Sequence, residues 1–207
     1  MKKASGYHGI ICQGNEISNE YITKNKKILQ VISNVSVGYD NVDIKFATEN
    51  RVAVFNTPNI LDDTVADMTM GLILAISRKI CEGNNFVKAG KWKNNSWPLF
   101  LGDDLKGESI GIIGLGNIGK KVAFRAKAFG LNIMYNNRKR LNLIDEKKYK
   151  VKFLKLEKLL NKCKYVLLSL PLNNQTKHMI NKKTLSIMRK DSYIINIARG
   201  KIIKEKD

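Results

Sequence analysis

Cysteine and proline are scarce in this sequence, with three of each among 207 residues. Cys12, Cys81 and Cys163 lie far apart without a CxxC pair, and their odd number argues against a disulfide framework or a zinc site. Each lies within or beside an apolar stretch, where a free cysteine commonly packs as a small hydrophobe. We therefore expect three packing cysteines, a reducing compartment such as the cytoplasm, and no metal site.

Long apolar runs are also missing. No stretch approaches the ~20 apolar residues that span a bilayer, and the opening MKKASGYHGI lacks the apolar core of a signal peptide. With 43% hydrophobic residues, the composition is typical of a soluble globular protein. We expect no membrane partner.

Acidic residues are few, since 18 Asp and Glu stand against 37 Lys and Arg and give a formal net charge of +19. A strongly basic chain can bind nucleic acid or an anionic membrane surface. The lysines, however, are scattered singly and in pairs such as Lys120-Lys121 and Lys182-Lys183, without the aromatic interleaving of single-strand binders. We therefore expect no nucleic-acid partner, and tight, salt-resistant DNA binding would contradict this expectation.

Strand and helix patterns alternate regularly from residue 109 onward. Short apolar runs predict buried parallel strands, and segments with apolar residues at helical spacing lie between them. This alternation predicts a doubly wound α/β domain with right-handed crossovers. The predicted strands are SIGIIG (109–114), LNIMYN (131–136), YVLLSL (165–170) and YIINIA (193–198), and the predicted helices are 118–130, 155–163 and 182–190.

The first half of the chain has a different pattern. KILQVISN (27–34) and VAVFNT (52–57) are candidate strands, and a helix through 66–78 follows, with N-cap oxygens and negative charge offered by Asp62, Asp63 and Thr64. This helix is apolar nearly all round, so we expect it to be buried on more than one side, between domains or in a dimer interface. Proline, glycines and charges at 96–107 indicate a linker, which predicts domains at 1–102 and 103–207.

A glycine-rich motif, Gly114-Leu115-Gly116-Asn117-Ile118-Gly119, joins the first strand of the second half to its helix. Between a strand and a helix, such glycines make a tight turn, admit a pyrophosphate to the backbone and pack the helix on the strand. The helix N-terminus then offers unpaired N–H groups to phosphates. We predict a dinucleotide site that includes Gly114, Gly116, Asn117, Ile118 and Gly119; the alternative is an ordinary tight turn.

The end of the next strand indicates which dinucleotide binds. NAD-selective sites place an acidic residue there for the ribose 2′-hydroxyl, whereas this chain has Asn137-Arg138-Lys139-Arg140. Arg138 can pair with a 2′-phosphate through two hydrogen bonds and Lys139 adds positive charge. We predict that Asn137, Arg138 and Lys139 bind cofactor and that NADP(H) is preferred. NAD(H) is the alternative if these are ordinary solvated residues.

Four segments carry a resemblance to a known family. SVGYDNVD (36–43), NTPNILDDTVADMTMGLILAISR (56–78), GIIGLGNIG (111–119) and INIARG (195–200) resemble the D-isomer-specific 2-hydroxyacid dehydrogenases. NNRKR (136–140) and KAGKW (88–92) are similar to the glyoxylate/hydroxypyruvate reductase branch, including 2-ketogluconate reductases. The resemblance implies a flavodoxin-like substrate domain beside a Rossmann domain, hydride transfer from NADPH to C2 of a short 2-oxo acid, and a homodimer.

The resemblance also implies roles for individual positions. The backbone N–H groups of Val37 and Gly38 would receive the substrate carboxylate. Arg199 would be catalytic, because a guanidinium after a buried strand can bind the carboxylate and keto oxygen and stabilise the developing alkoxide; the alternative is a surface arginine. The remaining positions implied to border the cofactor are Thr64, Leu170, Pro171, Thr176, Ile197 and Ala198.

The resemblance is incomplete at both ends. The family supplies a Glu/His proton-transfer pair beyond its arginine, and no such pair follows Arg199 here. His8 and His178 do not match that motif, so we expect them to be surface or packing residues. We expect an incomplete chain, whether a fragment, a frameshifted product or a natural short form, that binds cofactor better than it turns over. The alternative function is a non-catalytic dinucleotide-binding or interaction module.

Overall fold

The computed structural model describes residues 5–207, and its strands form two separate parallel sheets. By internal packing the chain divides into one unit that ends at Leu61 and a second unit, Asp62–Asp207. The helices that follow residue 61 therefore pack within the second unit. The division at residue 102 refers to the domains of the family fold and stays a prediction.

The first unit is a three-stranded sheet in the order β1-β2-β3. Its strands are β1 (Gly9–Cys12), β2 (Val31–Asn34) and β3 (Ala53–Phe55), and its helices are α1 (Asn19–Asn25) and α2 (Ile44–Glu49). Ile32 on the central strand is aligned with Ile10 and Val54 on its neighbours. Because parallel neighbours need crossovers, each helix connects two adjacent strands, and Ile22 of α1 and Ala47 of α2 are fully buried.

The second unit contains a five-stranded sheet in the order β6-β5-β4-β7-β8. The first strand of this unit, β4, is the central one. The next two strands, β5 and β6, extend the sheet on one side of β4, and β7 and β8 extend it on the other. The order therefore reverses beside β4, which is where open α/β sheets bind ligands at the carboxyl ends of their strands. The strands are β4 (Ser109–Ile113), β5 (Asn132–Asn136), β6 (Lys152–Phe153), β7 (Tyr165–Leu168) and β8 (Tyr193–Asn196).

The four strands predicted in this half are confirmed, as is the predicted α/β class with a doubly wound parallel sheet. The two-residue β6 has no predicted counterpart, because so short a strand leaves no periodic pattern. The helices of the second unit are α3 (Asp62–Ser77), α4 (Ile80–Lys88), α5 (Asn117–Ala128), α6 (Leu143–Tyr149), α7 (Leu156–Lys162) and α8 (Lys182–Ser186), and 3-10 turns lie at Trp97–Phe100 and Gly200–Ile202.

One expectation for α3 is wrong, and another stays a prediction. The helix begins at Asp62 rather than after Thr64, so the predicted N-cap residues lie in its first turn. Within this chain the helix is buried along one face, through residues such as Met70 and Ile73, while Met68 and Leu72 on another face are exposed. The expected burial on a second side, between domains or in a dimer interface, stays a prediction.

Ion pairs join α3 to α5. Lys121 Nζ lies 2.5 Å from a carboxylate oxygen of Asp63, and Arg125 lies 2.6 Å from Asp67 and 3.1 Å from Asp63. Lys121 and Arg125 hold the pKa of the Asp63 carboxyl below its ordinary value. These contacts fix the start of α3 against the helix that follows the glycine-rich motif.

The cysteine expectation holds for two residues and is wrong for the third. Cys12 and Cys163 are buried and free, whereas Cys81 is free and exposed. Burial raises the pKa of the Cys163 thiol to about 12, which keeps that thiol protonated and unreactive. Cys81 lies on α4, which has no buried residue. The apolar residues beside Cys81 in the sequence therefore did not imply that it is buried.

No helix within residues 5–207 is both long and apolar enough to cross a membrane.

The core around β4 provides a test of the fold. Ile112 is fully buried in the largest apolar cluster. Ile112→Ala should lower the free energy of unfolding by about 2–5 kcal/mol, because a cavity replaces the buried methyl groups. Ile144→Ala on α6 is the matched control, since Ile144 is 78% exposed, and it should change stability by less than about 0.5 kcal/mol. Equal urea midpoints for the two variants would contradict the described core.

Candidate functional site

The three glycines of the motif have different surroundings. Gly114 has φ +97°, a conformation that costs glycine little and other residues much, and an added Cβ would collide with the carbonyl oxygen of Ser169. At Gly119 an added Cβ would lie 2.6 Å from the carbonyl oxygen of Gly114. At Gly116 it would meet nothing within 4 Å. Gly114 therefore makes the turn, Gly119 allows close packing, and Gly116 leaves open space in front of the backbone.

The open space lies at the N-terminus of α5. Gly116 is the N-cap, and its lack of a side chain leaves the first turn without a side-chain cap. Gly116 and Asn117 are exposed, Ile118 is half-buried, and Leu115 is buried beneath the loop. Since the first-turn N–H groups of a helix have no intrahelical acceptors, this end of α5 suits a phosphate. The residues present therefore fit the dinucleotide that the motif predicts.

Asn137 holds the glycine loop from the neighbouring strand end. Its Oδ1 accepts a hydrogen bond of 2.7 Å from the Leu115 amide, and the Asn136 carbonyl accepts one of 2.9 Å from the Gly114 amide. Asn137 was predicted to bind cofactor, and that prediction is untested. Its side-chain oxygen already has a partner in the loop.

The basic residues after β5 separate into two sets. Arg138 and Lys139 are exposed, and neither forms an ion pair with another residue of the range 5–207. Arg140 instead binds Glu146 through two hydrogen bonds, with Nε 2.8 Å from Oε1 and Nη2 2.7 Å from Oε2. Arg138 and Lys139 thus remain available for an anion, whereas Arg140 neutralises a nearby carboxylate.

Glu146 is a buried carboxylate with a second partner. The Tyr135 hydroxyl donates a hydrogen bond of 2.6 Å to Oε1 and accepts one of 2.9 Å from the Leu141 amide. Arg140 and then Tyr135 lower the pKa of Glu146 to about 2, while burial, followed by Glu146, raises the pKa of Tyr135 to about 12. This network holds the turn 137–141 closed. Within it, Arg140 compensates the negative charge of Glu146.

The loop after β7 is folded on itself. The Thr176 hydroxyl donates to the Pro171 carbonyl over 2.7 Å and accepts from the Asn173 amide over 2.8 Å. Thr176 is buried, while Leu170 packs on the apolar cluster below β7 and Pro171 is exposed. Of the three positions predicted here, Thr176 fixes the loop, and Pro171 lies on its surface.

Arg199 lies in the turn that follows β8, three residues after the strand ends at Asn196. The Asn196 side chain closes the turn that precedes it: Oδ1 accepts from the Ala198 amide over 3.0 Å, and Nδ2 donates to the Arg199 carbonyl over 2.9 Å. The Arg199 guanidinium donates to the Ala198 carbonyl over 3.0 Å and is partly exposed. Ile197 and Ala198 are half-buried at the same turn.

In the first unit, the loop after β2 turns its carbonyl groups inward. The Ser36 carbonyl accepts from the Thr57 amide over 3.0 Å, and the Val37 carbonyl accepts from Asn56 Nδ2 over 2.9 Å. Within residues 5–207, no acceptor is found for the backbone N–H groups of Val37 and Gly38. These two N–H groups are therefore available to an anion, and their contact with the substrate carboxylate stays a prediction.

Sequence reasoning missed the asparagines that support these loops. Asn34, Asn56 and Asn196 lie at the ends of β2, β3 and β8, and each is hydrogen-bonded to a loop peptide. The available signal was an asparagine directly after an apolar strand, a residue type that commonly bonds to nearby backbone. The predicted surface positions of His8 and His178 are confirmed, since both are exposed. In the described part of the chain, no three His, Cys, Asp or Glu side chains are grouped to hold a metal.

Comparison with known proteins gives consistent matches. The model of the D-isomer specific 2-hydroxyacid dehydrogenase NAD-binding domain matches residues 70–207. A glyoxylate reductase from Pyrococcus horikoshii is 39% identical over 207 residues, which are 98% of this chain and 62% of that protein. The crystal structure of a glyoxylate reductase from Paecilomyes thermophila has a TM-score of 0.87 at 33% identity and covers 96% of this chain and 61% of that one.

A third relative was solved with a cofactor. An acyclic imino acid reductase in complex with NADPH and D-Arg has a TM-score of 0.88 at 28% identity, covering 99% of this chain and 64% of that one. The chain thus spans less than two thirds of the length of each of these relatives.

The ion pair and hydrogen bond of Glu146 predict that the stability of the fold depends on pH. The pKa of Glu146 is lowered from 4.5 to about 2 in the folded chain, so its ionisation stabilises the fold above the ordinary value and this contribution is lost as the pH falls toward 2. The advantage of the wild type over Glu146→Gln in urea midpoint should therefore shrink between about pH 7 and about pH 3. Glu157→Gln, at an exposed carboxylate on α7, is the control. A gap that does not change with pH would refute the coupling.

Proposed function

The chain belongs to the D-isomer-specific 2-hydroxyacid dehydrogenase family, in its glyoxylate reductase branch, and on this premise we propose that it binds NADPH and a short 2-oxo acid for reduction at C2. The observation that carries the proposal is the glycine loop, where only Gly116 leaves open space before the N-terminus of α5. Glyoxylate, hydroxypyruvate and 2-ketogluconate are the candidate substrates. When bound, the reduced nicotinamide supplies the hydride that C2 accepts.

The preference for NADPH rests on charge at the turn after β5. No carboxylate ends β5, and the carboxylate of Glu146 is bound by Arg140. The exposed Arg138 and Lys139 therefore offer two positive side chains to a 2′-phosphate without a competing negative one. The complex of a related imino acid reductase with NADPH is consistent with this choice.

The substrate is proposed to bind through its carboxylate. In one unit the N–H groups of Val37 and Gly38 are directed away from the internal hydrogen bonds of their loop. The role of Arg199 is proposed from the family resemblance alone: its planar guanidinium can bind a carboxylate and a keto oxygen and stabilise the charge that develops as hydride arrives. Thr64, Ile197 and Ala198 are the remaining positions assigned to the nicotinamide end of the cofactor.

A non-catalytic dinucleotide-binding module is the second candidate, because the glycine loop at the N-terminus of α5 suits a dinucleotide whether or not a reaction follows. Turnover with glyoxylate or hydroxypyruvate and NADPH separates the candidates, provided that cofactor binding is measured on the same sample. Binding without turnover would favour the module.

Cofactor choice can be tested by binding alone. Arg138→Ala should weaken NADPH binding by about tenfold or more, the value of a charge-assisted hydrogen bond, and should change NADH binding little. Fluorescence titration with both cofactors gives the two dissociation constants. Lys158→Ala on α7 removes the same charge from another exposed position and serves as the control. Equal wild-type affinities for NADH and NADPH would contradict the preference.

The role of Arg199 can be tested by a conservative change. Arg199→Lys keeps the positive charge but loses the planar pair of donors. It should weaken binding of a 2-oxo acid to the NADPH complex by about tenfold, lower any turnover further, and leave NADPH affinity nearly unchanged. Lys201→Arg, two residues later on an exposed side chain, is the control. Unchanged 2-oxo acid binding in Arg199→Lys would remove Arg199 from the mechanism.

A further inference from the structure

We propose that Asn34 and Asn56 are positioning residues for the substrate carboxylate, and that the backbone N–H of Tyr39 is a third donor to it beside Val37 and Gly38. The inference rests on the proposed function, which assigns the carboxylate of a 2-oxo acid to this loop. It adds the side chains that orient the loop and one further contact atom.

The geometry of the peptide bond sets the directions of these N–H groups. All described peptide bonds are trans, and in a planar trans peptide the C=O of one residue points opposite to the N–H of the next. The inward carbonyl of Ser36 therefore directs the Val37 N–H outward. The carbonyl of Val37 does the same for the Gly38 N–H, and the carbonyl of Gly38 does so for the Tyr39 N–H.

Each of the last two carbonyls is held by an asparagine. Asn56 Nδ2 donates to the Val37 carbonyl over 2.9 Å, and Asn34 Nδ2 donates to the Gly38 carbonyl over 2.9 Å. Asn56 therefore orients the peptide that carries the Gly38 N–H. Asn34 orients the peptide that carries the Tyr39 N–H.

Asn34 is itself fixed on every polar atom. It is 1% exposed, and its Oδ1 accepts from the Cys12 thiol over 3.4 Å and from Asn41 Nδ2 over 3.3 Å. Its Nδ2 also lies 2.8 Å from Ser36 Oγ, and the Ser36 hydroxyl donates in turn to the Gly38 carbonyl. A buried amide with all its groups bonded has one orientation, so the Gly38 carbonyl has one as well.

In the described structure, these three N–H groups are available to bind a ligand. Within residues 5–207, no acceptor is found for the N–H groups of Val37, Gly38 and Tyr39. Successive backbone N–H groups that face outward from one turn can form a concave site for an anion. A carboxylate fits this chemistry, because its two oxygens can share three donors.

The test uses amide signals of the ¹⁵N-labelled chain during titration with oxamate, a non-reducible analogue that carries the same carboxylate. In the wild type, the signals of Val37, Gly38 and Tyr39 should shift with one common saturation curve. Asn56→Ala and Asn34→Ala should each weaken this binding by about tenfold, the value of one oriented hydrogen bond to an ion.

Asn25→Ala is the matched control. Asn25 is also a buried asparagine of the first unit, with Nδ2 2.9 Å from the Tyr21 carbonyl and Oδ1 3.3 Å from the Gly6 amide, but it does not contact the loop. It should lower stability and leave oxamate affinity unchanged. If Asn34→Ala fails to fold, oxamate affinity is measured instead in Asn56→Ala, at a half-buried position, and in Ser36→Ala.

The outcomes distinguish this inference from the function on which it rests. Wild-type shifts at Val37 and Gly38 without one at Tyr39 would overturn the third donor. Full oxamate affinity in folded Asn34→Ala and Asn56→Ala would overturn the positioning roles and leave the proposed carboxylate loop standing. No shift at any of the three amides in the wild type would overturn the loop assignment and this inference together.

Discussion

Asparagine side chains at strand ends hold the loops on which the candidate site depends. Asn34 ends β2, Asn137 directly follows β5 and Asn196 ends β8, and each side chain is hydrogen-bonded to the backbone of a nearby loop. An amide side chain both donates and accepts, so Asn196 satisfies the Ala198 N–H and the Arg199 C=O together. Without these bonds the loops at the carboxyl ends of the strands would lose their defined peptide orientations.

The neutrality of these amides matters as much as their hydrogen bonds. Aspartate has a similar shape, but its charge would repel a phosphate or a carboxylate in the adjoining loop, and it cannot donate to a carbonyl. Both proposed ligands are anions. The buried carboxylate nearest the turn after β5, Glu146, is bound by Arg140 and Tyr135, so its charge is compensated within the protein.

Local pattern predicted the sheet better than it predicted the loops. The strands β4, β5 and β7 are largely buried apolar runs, and β8 is a half-buried apolar run. Such runs are visible in sequence, whereas α6 begins with the exposed Leu143 and Ile144 and has no apolar face to detect. The glycine motif predicted the turn and the open helix N-terminus. The hydrogen bond from the Leu115 amide to the Asn137 side chain joins the segments that follow two paired strands, β4 and β5. It depends on strand pairing, which residue spacing in the sequence does not specify.

Several residues that hold a loop differ from those proposed to contact the ligand there. Gly114, Asn137 and Arg140 fix the backbone around the glycine loop and the turn after β5, while the exposed Arg138 and Lys139 carry the charge proposed to select the cofactor. Because those two side chains take no part in the ion pairs that shape the turn, their charge can change without a change of fold. In the first unit, the proposed ligand contacts are backbone N–H groups alone. There specificity depends on peptide orientation, and hence on the buried asparagines rather than on any exposed side chain.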